Sequence, residues 1–239
     1  MICIPMVRKA VCLISGGLDS CVTTWVAKND GYELYGISFD YGQLHYKELS
    51  SAKKIAIAAG VNQHIVFKVD LQQFGGSSLV DRSVDLPQSR LEDIGQNIPS
   101  TYVPARNTIF LSLALAWAEA LNAEAVFIGA NAVDYSGYPD CRPEFIQAFQ
   151  QMANYATKKG VEGKPIQIIA PLLNLSKTEI IKKGKVLNAP LELTWSCYKG
   201  EKKPCGRCDS CLLRLKGFQD AGIPDPLRYA EYPLWYTLK

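Results

Sequence analysis

Short apolar runs alternate along the chain with longer segments that have helical periodicity. The apolar runs predict strands at residues 11–14, 34–39, 65–69, 125–128 and 166–170. Runs that are apolar on both faces are typical of central strands in a parallel sheet. Because strands and helices alternate, right-handed crossovers should build one parallel sheet with helices on both faces, which is a Rossmann-like α/β fold.

The segments between these runs repeat their apolar residues at helical spacing. Helices are expected at residues 19–30, 44–60, 105–121, 145–156 and 176–187. The third of these is apolar around most of its circumference and should be buried. In the last one, Ser176 and Glu179 have the spacing of a capping box. Residues 71–104 are rich in turn residues and lack periodicity, so we expect a functional loop there, one that closes over a substrate.

The first predicted strand leads directly into Ser15, Gly16 and Gly17, and a helix begins near Asp19. Ligands of an open parallel sheet bind at the carboxyl ends of its strands. Glycines allow a ligand close to the backbone, the helix start offers free N–H groups, and the Ser15 and Ser20 hydroxyls add donors. This arrangement predicts a phosphate site, whereas a tight strand-to-helix turn is the simpler alternative.

Four of the eight cysteines lie close together near the end of the sequence, at Cys197, Cys205, Cys208 and Cys211. Thiolates two residues apart converge on one metal ion, and four of them complete a closed tetrahedron. The spacing therefore predicts a small structural zinc knuckle. An iron–sulfur cluster is the alternative, since similar spacing occurs in ferredoxin-like sites.

Composition narrows the class of protein. The 239 residues are 48% hydrophobic and carry a net charge of +3, which is too small to indicate nucleic-acid binding by bulk charge. The sequence shows neither a secretory signal nor an apolar run of roughly eighteen residues, so we expect a cytoplasmic protein without a membrane partner. We divide the chain into a nucleotide-binding α/β domain at 1–190 and a cysteine-rich region at 191–239 that packs on it.

The stretch SGGLDS resembles the S-G-G-x-D-S loop of the PP-loop ATP pyrophosphatases. With FDYGQLHYKE, STYVPARNTIF, GANAVDYSGYPDCRPEF and the cysteine tail, the chain resembles the 7-cyano-7-deazaguanine synthase family of queuosine biosynthesis from Val11 to about Phe218. Ala105 stands where many members have glycine. The resemblance implies an adenine nucleotide alpha hydrolase-like fold and a homodimer.

The resemblance also assigns roles to residues. It implies an ATP site at Ile14, Ser15, Gly16, Gly17, Leu18, Asp19, Ser20 and Cys21. Ser15, Asp19, Ser20 and Lys177 would act in catalysis, with Asp19 fixing the loop or a magnesium ion. Lys177 would contact phosphate, and the alternative is an exposed lysine in the first turn of a helix.

A deazaguanine base offers N–H donors on one edge and a flat face for stacking. The substrate-binding candidates are Tyr41, Arg106, Asp134, Tyr135, Tyr138 and Asp140. The tyrosines would stack on the base, the aspartates would accept from its edge, and Arg106 would pair with a carboxylate. The alternatives are core packing for the tyrosines, simple turns for the aspartates and a helix start for Arg106.

The family's chemistry implies two adenylations. ATP first activates 7-carboxy-7-deazaguanine, ammonia then gives the amide, and a second adenylation on the amide oxygen gives the nitrile. ATP, Mg²⁺ and structural Zn²⁺ are the implied cofactors, and only small-molecule partners are expected. The alternatives are another PP-loop ligase, a tRNA thiolase, or a non-enzymatic zinc-knuckle module that binds nucleic acid.

Overall fold

A computed structural model describes residues 7–43, 46–81, 83–86, 97–133 and 137–238. Its five strands form one parallel sheet in the order β3-β2-β1-β4-β5. The strands are β1 Lys9–Leu13, β2 Glu33–Asp40, β3 Gln63–Lys68, β4 Ala125–Phe127 and β5 Gln167–Ile169. Every predicted strand is present, and no end is displaced by more than two residues.

Helices connect the strands and continue beyond the sheet. They are α1 Leu18–Asn29, α2 Lys47–Ala59, α3 Arg106–Ala120, α4 Pro143–Ala156, α5 Lys158–Val161, α6 Lys177–Val186 and α7 Asp209–Ala221. The five predicted helices are confirmed, whereas α5 and α7 were not predicted. In α7 the buried Leu215 and Phe218 repeat at helical spacing, but cysteines and charged residues at its start obscured the pattern.

Two hydrophobic layers cover the two faces of the sheet, which confirms the Rossmann-like class. On one face, α3 and α4 bury Leu111 and Phe149 against the strands. On the other face, α1, α2, α6 and α7 form the layer that contains Val22 and Ile55. The prediction that α3 is buried on most of its surface was wrong in extent, because one side, including Ser112, is exposed to solvent.

The described parts of residues 71–104 are anchored in the first of these layers. Leu71, Val80 and Val103 are buried there, and the Ser78 N–H donates to the Ser100 carbonyl oxygen at 2.8 Å. The ends of the predicted loop are therefore part of the core, and closure over a substrate stays a prediction. Within the described residues, none of the helices has both the length and the apolar content to cross a membrane.

A buried ion pair organises the end of the chain. Arg214, in α7, is 2% exposed and donates to both carboxylate oxygens of Asp225, at 2.7 and 3.0 Å. The same guanidinium donates to Thr194 Oγ1 at 2.6 Å and to the Leu191 carbonyl oxygen at 3.2 Å. One side chain thus joins the segment before the cysteines to the segment after α7. The proposed division of the chain at residue 190 stays a prediction.

We expect Asp225→Ala to lower the free energy of unfolding by about 3–5 kcal/mol, because it leaves the buried Arg214 charge without its partner. The matched control is Asp220→Ala, which removes an exposed partner of Lys216 in the same helix and should cost about 1 kcal/mol or less. Urea denaturation of both variants measures the difference. Equal losses of unfolding free energy would show that the buried pair stabilises the fold no more than the exposed pair does.

Candidate active site

The candidate site lies at the carboxyl ends of β1 and β4. These neighbouring strands are followed by crossovers that run in opposite directions, so a crevice opens between them, where sheets of this type bind ligands. A cavity of about 230 Å³ occupies this position. Its lining includes Ser15, Gly17, Asp19 and Ser20 after β1, and Gly129 after β4.

Two glycines give the loop its close packing. Gly16 has φ of +91°, and a Cβ there would overlap the carbonyl oxygen of Glu48 at the start of α2. A Cβ at Gly129 would lie 2.9 Å from the backbone nitrogen of Ser20. The backbone of the loop therefore touches α2 on one side and the end of β4 on the other, and no side chain fits at either contact.

The two serine hydroxyls of the loop bond to the loop itself. Ser15 Oγ lies 3.0 Å from Ser20 Oγ, and Ser20 Oγ donates to the Gly17 carbonyl oxygen at 3.1 Å. The Gly17 N–H donates to Ser15 Oγ at 3.2 Å. The hydroxyls thus hold the loop in shape as well as being candidate donors. No side chain in the described part of the chain caps α1, and the first turn of α1 lines the cavity, so its N–H groups are available to an anion.

Asp19 and Lys177 form an ion pair inside the cavity. Lys177 Nζ donates to the two carboxylate oxygens of Asp19 at 2.7 and 2.8 Å, and Lys177 is only 7% exposed. The capping box at Ser176 and Glu179, which is confirmed, fixes the turn that carries Lys177. The alternative of a solvent-exposed lysine is wrong, because α6 packs this turn against α1 and α7.

The other half of the cavity is aromatic and carries one arginine. Phe39 and Phe110 stack with ring centroids 3.9 Å apart and line the cavity. The Arg106 guanidinium lies 5.6 Å from the centroid of the Tyr41 ring, and Arg106 Nη1 is 3.5 Å from the Tyr41 hydroxyl. Tyr138 also lines the cavity, with its hydroxyl 2.6 Å from Thr101 Oγ1. These groups offer a flat apolar surface beside a positive charge.

The residue before Arg106 has an unusual backbone. Ala105 lies in the left-handed region with φ of +52°, where glycine is favoured. A glycine, which the resemblance leads us to expect at this position, would adopt this conformation without strain. It also turns the chain so that α3 starts at Arg106 and directs its side chain into the cavity.

Not every predicted site residue reaches the cavity. Asp140 is buried and accepts from the Asn107 N–H at 3.0 Å, so its carboxylate stabilises the first turn of α3 instead of lining the crevice. Gly16 and Cys21 do not line the cavity either, because Gly16 packs against α2 and Cys21 is buried in α1. Asp134 and Tyr135 are outside the described residues.

The four predicted metal ligands come together. Their Sγ atoms all lie within 4.8 Å of one another, and all four side chains are buried. Tetrahedral zinc with bonds of about 2.3 Å requires sulfur atoms about 3.8 Å apart, and the Cys205 and Cys211 Sγ atoms are 3.9 Å apart. A multi-iron cluster places its ligands on different iron atoms, which requires a wider separation. The geometry therefore favours one zinc ion.

Comparison with known proteins identifies the family. The family model described as queuosine biosynthesis protein QueC matches residues 9–222. The chain belongs to this family. A Trichodesmium erythraeum protein named 7-cyano-7-deazaguanine synthase is 59% identical over 220 residues, which cover 92% of this chain and 99% of the relative. A Thermoplasma volcanium protein of the same name is 54% identical over 97% of this chain and 95% of its own.

The resemblance to the QueC family is thus confirmed, and the relatives carry the name of an enzyme, as the motifs predicted. Among solved structures, NMN synthetase from Francisella tularensis is 17% identical with a TM-score of 0.44, covering 84% of this chain and 67% of its own. The NH3-dependent NAD synthetase from Campylobacter jejuni is 16% identical with a TM-score of 0.43, covering 80% of this chain and 68% of its own. Similarity at this level says nothing further about the activity of this chain.

Sequence reasoning missed several residues that line the cavity. They are Gln43, Glu48, Asn131, Trp195, Ser196, Tyr198 and Arg214. Glu48 is the last residue of the quoted stretch FDYGQLHYKE. Its place in the first turn of a helix that follows a strand could have marked it as a residue near the carboxyl ends of the strands. Nothing in the sequence indicated Trp195, whose backbone N–H donates to the Gly16 carbonyl oxygen at 2.8 Å and joins the tail to the loop.

We expect Gly16→Ala to weaken ATP binding by roughly tenfold or more, which corresponds to about 1.4 kcal/mol, because the new methyl group displaces the loop from α2. Equilibrium dialysis with ATP measures the loss. Gly31→Ala is the matched control, since Gly31 also has positive φ but no atom within 4 Å of the place that a Cβ would take. It should cost about 1–2 kcal/mol of stability without changing ATP affinity. Unchanged affinity in Gly16→Ala would contradict the loop assignment.

We expect Cys208→Ala to lose the metal, because three thiolates leave the tetrahedron open. Mass-spectrometric metal analysis should find about one zinc ion per native chain and little in the variant. Cys12→Ala, at a buried cysteine of β1 outside the cluster, should keep its zinc. Equal zinc content in the two variants would argue against this ligand set.

Proposed function

We propose that the chain uses ATP and ammonia to convert 7-carboxy-7-deazaguanine into 7-cyano-7-deazaguanine. Family membership places it in the biosynthesis of queuosine, and its relatives bear the name of this synthase. The observation that carries the proposal is that one cavity is lined both by the SGGLDS loop and by Arg106 with its aromatic neighbours. A triphosphate at the loop would then meet a flat acid at the arginine.

The first step activates the acid. A carboxylate is a poor electrophile because its leaving group would be oxide. In the proposed reaction, a carboxylate oxygen attacks the α-phosphorus of ATP, and the bond to pyrophosphate breaks. The N–H groups at the start of α1 would bind the departing pyrophosphate, with Lys177 and Asp19 holding the loop beside them. Mg²⁺ bound with the triphosphate would supply further charge neutralisation.

The substrate would lie in the aromatic half of the cavity. Its flat ring would fit against Phe39, Phe110 and Tyr41, and the Arg106 guanidinium suits a bidentate contact to the carboxylate. Ammonia then displaces AMP and gives the amide. A second adenylation, on the amide oxygen, allows AMP to leave again so that the nitrile forms.

Zinc has no part in these steps. Four cysteine ligands leave no open coordination position, so the ion would fix the fold of the tail. The tail in turn contacts the loop through the Trp195 backbone N–H. A homodimer and a cytoplasmic location, expected from the resemblance and the composition, remain predictions that belong to this proposal.

We expect 7-carboxy-7-deazaguanine to stimulate exchange of labelled pyrophosphate into ATP, because adenylation is reversible before ammonia is added. 7-Deazaguanine, which lacks the carboxylate, is the matched control and should not stimulate exchange. With ammonium present, mass spectrometry should detect the nitrile, AMP and pyrophosphate. ADP and phosphate as the only products would reject adenylation, and tight tRNA binding without ATP turnover would support the nucleic-acid module.

A further inference from the structure

We propose that the Glu48 carboxylate is the catalytic base that takes the proton from the substrate nitrogen in this cavity. The inference rests on the proposed function, because the nitrogen is that of the ammonia and amide described there. It adds a group that lies outside the loop at residues 15–20, here named the phosphate loop. Three features of Glu48 carry it: its position, its lack of a partner among the described residues and its environment.

Glu48 lies between the two halves of the cavity. It occupies the first turn of α2, and its carbonyl oxygen is packed against Gly16 of the phosphate loop. It lines the cavity together with Asp19 on the phosphate side and Arg106 on the aromatic side. If ATP binds the loop and the substrate carboxylate binds Arg106, the carbonyl carbon that reacts lies beside Glu48.

The two carboxylates that line the cavity within the described residues differ in their partners. Asp19 is held by Lys177 through two hydrogen bonds. No group in the described part of the chain donates a hydrogen bond to the Glu48 carboxylate. Asp19 is therefore committed to a structural ion pair, whereas Glu48 is available to accept a proton from a ligand.

The surroundings of Glu48 suit a base that works near neutral pH. Burial raises its pKa to about 7, an effect that the Arg106 guanidinium partly opposes and the Cys197 sulfur of the tail increases. Tyr41 also faces it, and burial raises the pKa of that phenol to about 12, so it stays protonated at neutral pH. A base whose pKa lies near the working pH is the most effective in general-base catalysis.

The proton transfers balance in both halves of the reaction. Ammonia forms a C–N bond to the acyl adenylate, its nitrogen gives a proton to Glu48, and the C–O bond to AMP breaks to leave the amide. When the amide oxygen attacks the α-phosphorus of the second ATP, the bond to pyrophosphate breaks, and the amide nitrogen gives one proton to Glu48 to leave a neutral O-adenylyl imidate. Glu48 releases that proton to solvent and then takes the remaining N–H proton as the C–O bond to AMP breaks. The products of this half are the nitrile, AMP and pyrophosphate, and Glu48 returns each proton to solvent.

The experiment compares Glu48→Gln with Glu144→Gln, since Glu144 is an exposed glutamate in the first turn of another helix, α4. Two reactions are measured for each variant and for the native chain. One is pyrophosphate exchange with the carboxylate substrate and no ammonia, which reports adenylation. The other is single-turnover formation of amide after ammonium is added, at a constant concentration of unprotonated ammonia. Circular dichroism verifies folding.

We expect Glu48→Gln to retain exchange and to lose roughly 10²–10⁴-fold in the rate of amide formation, the usual contribution of a general base. Glu48→Asp should recover part of that rate, and Glu144→Gln should match the native chain. In the native chain the rate should rise as pH increases through about 7, because the base must be ionised, and Glu48→Gln should lose this dependence.

Amide formation at the native rate in folded Glu48→Gln would overturn the inference. Loss of exchange and amide formation together would overturn it too, since Glu48 would then serve the loop or substrate binding. If Glu48→Gln does not fold, Glu48→Asp is judged by the same criteria. Absence of exchange in the native chain would instead refute the proposed function, which separates the two failures.

Discussion

The rest of this structure depends on the contacts that hold the phosphate loop in place, which come from α2 and from the cysteine-rich tail. The centre of the loop consists of glycines without side chains, so the groups that contact its backbone determine its shape. Gly16 packs against the Glu48 carbonyl oxygen and accepts a hydrogen bond from the Trp195 backbone N–H. Elements from two distant parts of the chain, α2 and the cysteine-rich tail, therefore hold the same three-residue turn.

This arrangement links the four-cysteine cluster to the cavity of the candidate active site. Trp195 lies two residues before Cys197, and the Lys47 ammonium at the start of α2 lies 4.3 Å from the centroid of its ring. The buried Arg214 bonds to the Thr194 and Ser196 hydroxyls on either side of Trp195. The four cysteines thus order a segment whose one backbone N–H supports the loop. A metal ion held by these cysteines would therefore support the loop without being bound in the cavity.

The charges of the cavity fall into two groups. Asp19 with Lys177 and Arg214 with Asp225 are closed pairs that stabilise the fold without exposing an uncompensated charge. Arg106 and Glu48 face the cavity instead, and neither forms an ion pair with a described residue. One positive and one negative side chain in the same cavity suit the proposed roles of holding a carboxylate and accepting a proton. The two ion pairs hold the elements around the cavity in position, whereas the charged groups of Arg106 and Glu48 are available to a ligand.

The sequence by itself determined the strands, most helices, the capping box at Ser176, the glycine turn after β1 and the clustering of the four cysteines. These features depend on local periodicity or on residues close together in the chain, so they can be recognised before the tertiary structure is known. Only the tertiary structure decided which distant groups meet: Lys177 with Asp19, Trp195 with Gly16, Glu48 with the loop, and Asp140 with the start of α3 instead of the cavity. Such contacts result from how the helices and the tail pack on the sheet. They join residues far apart in the chain, so the spacing of residues in the sequence does not predict them.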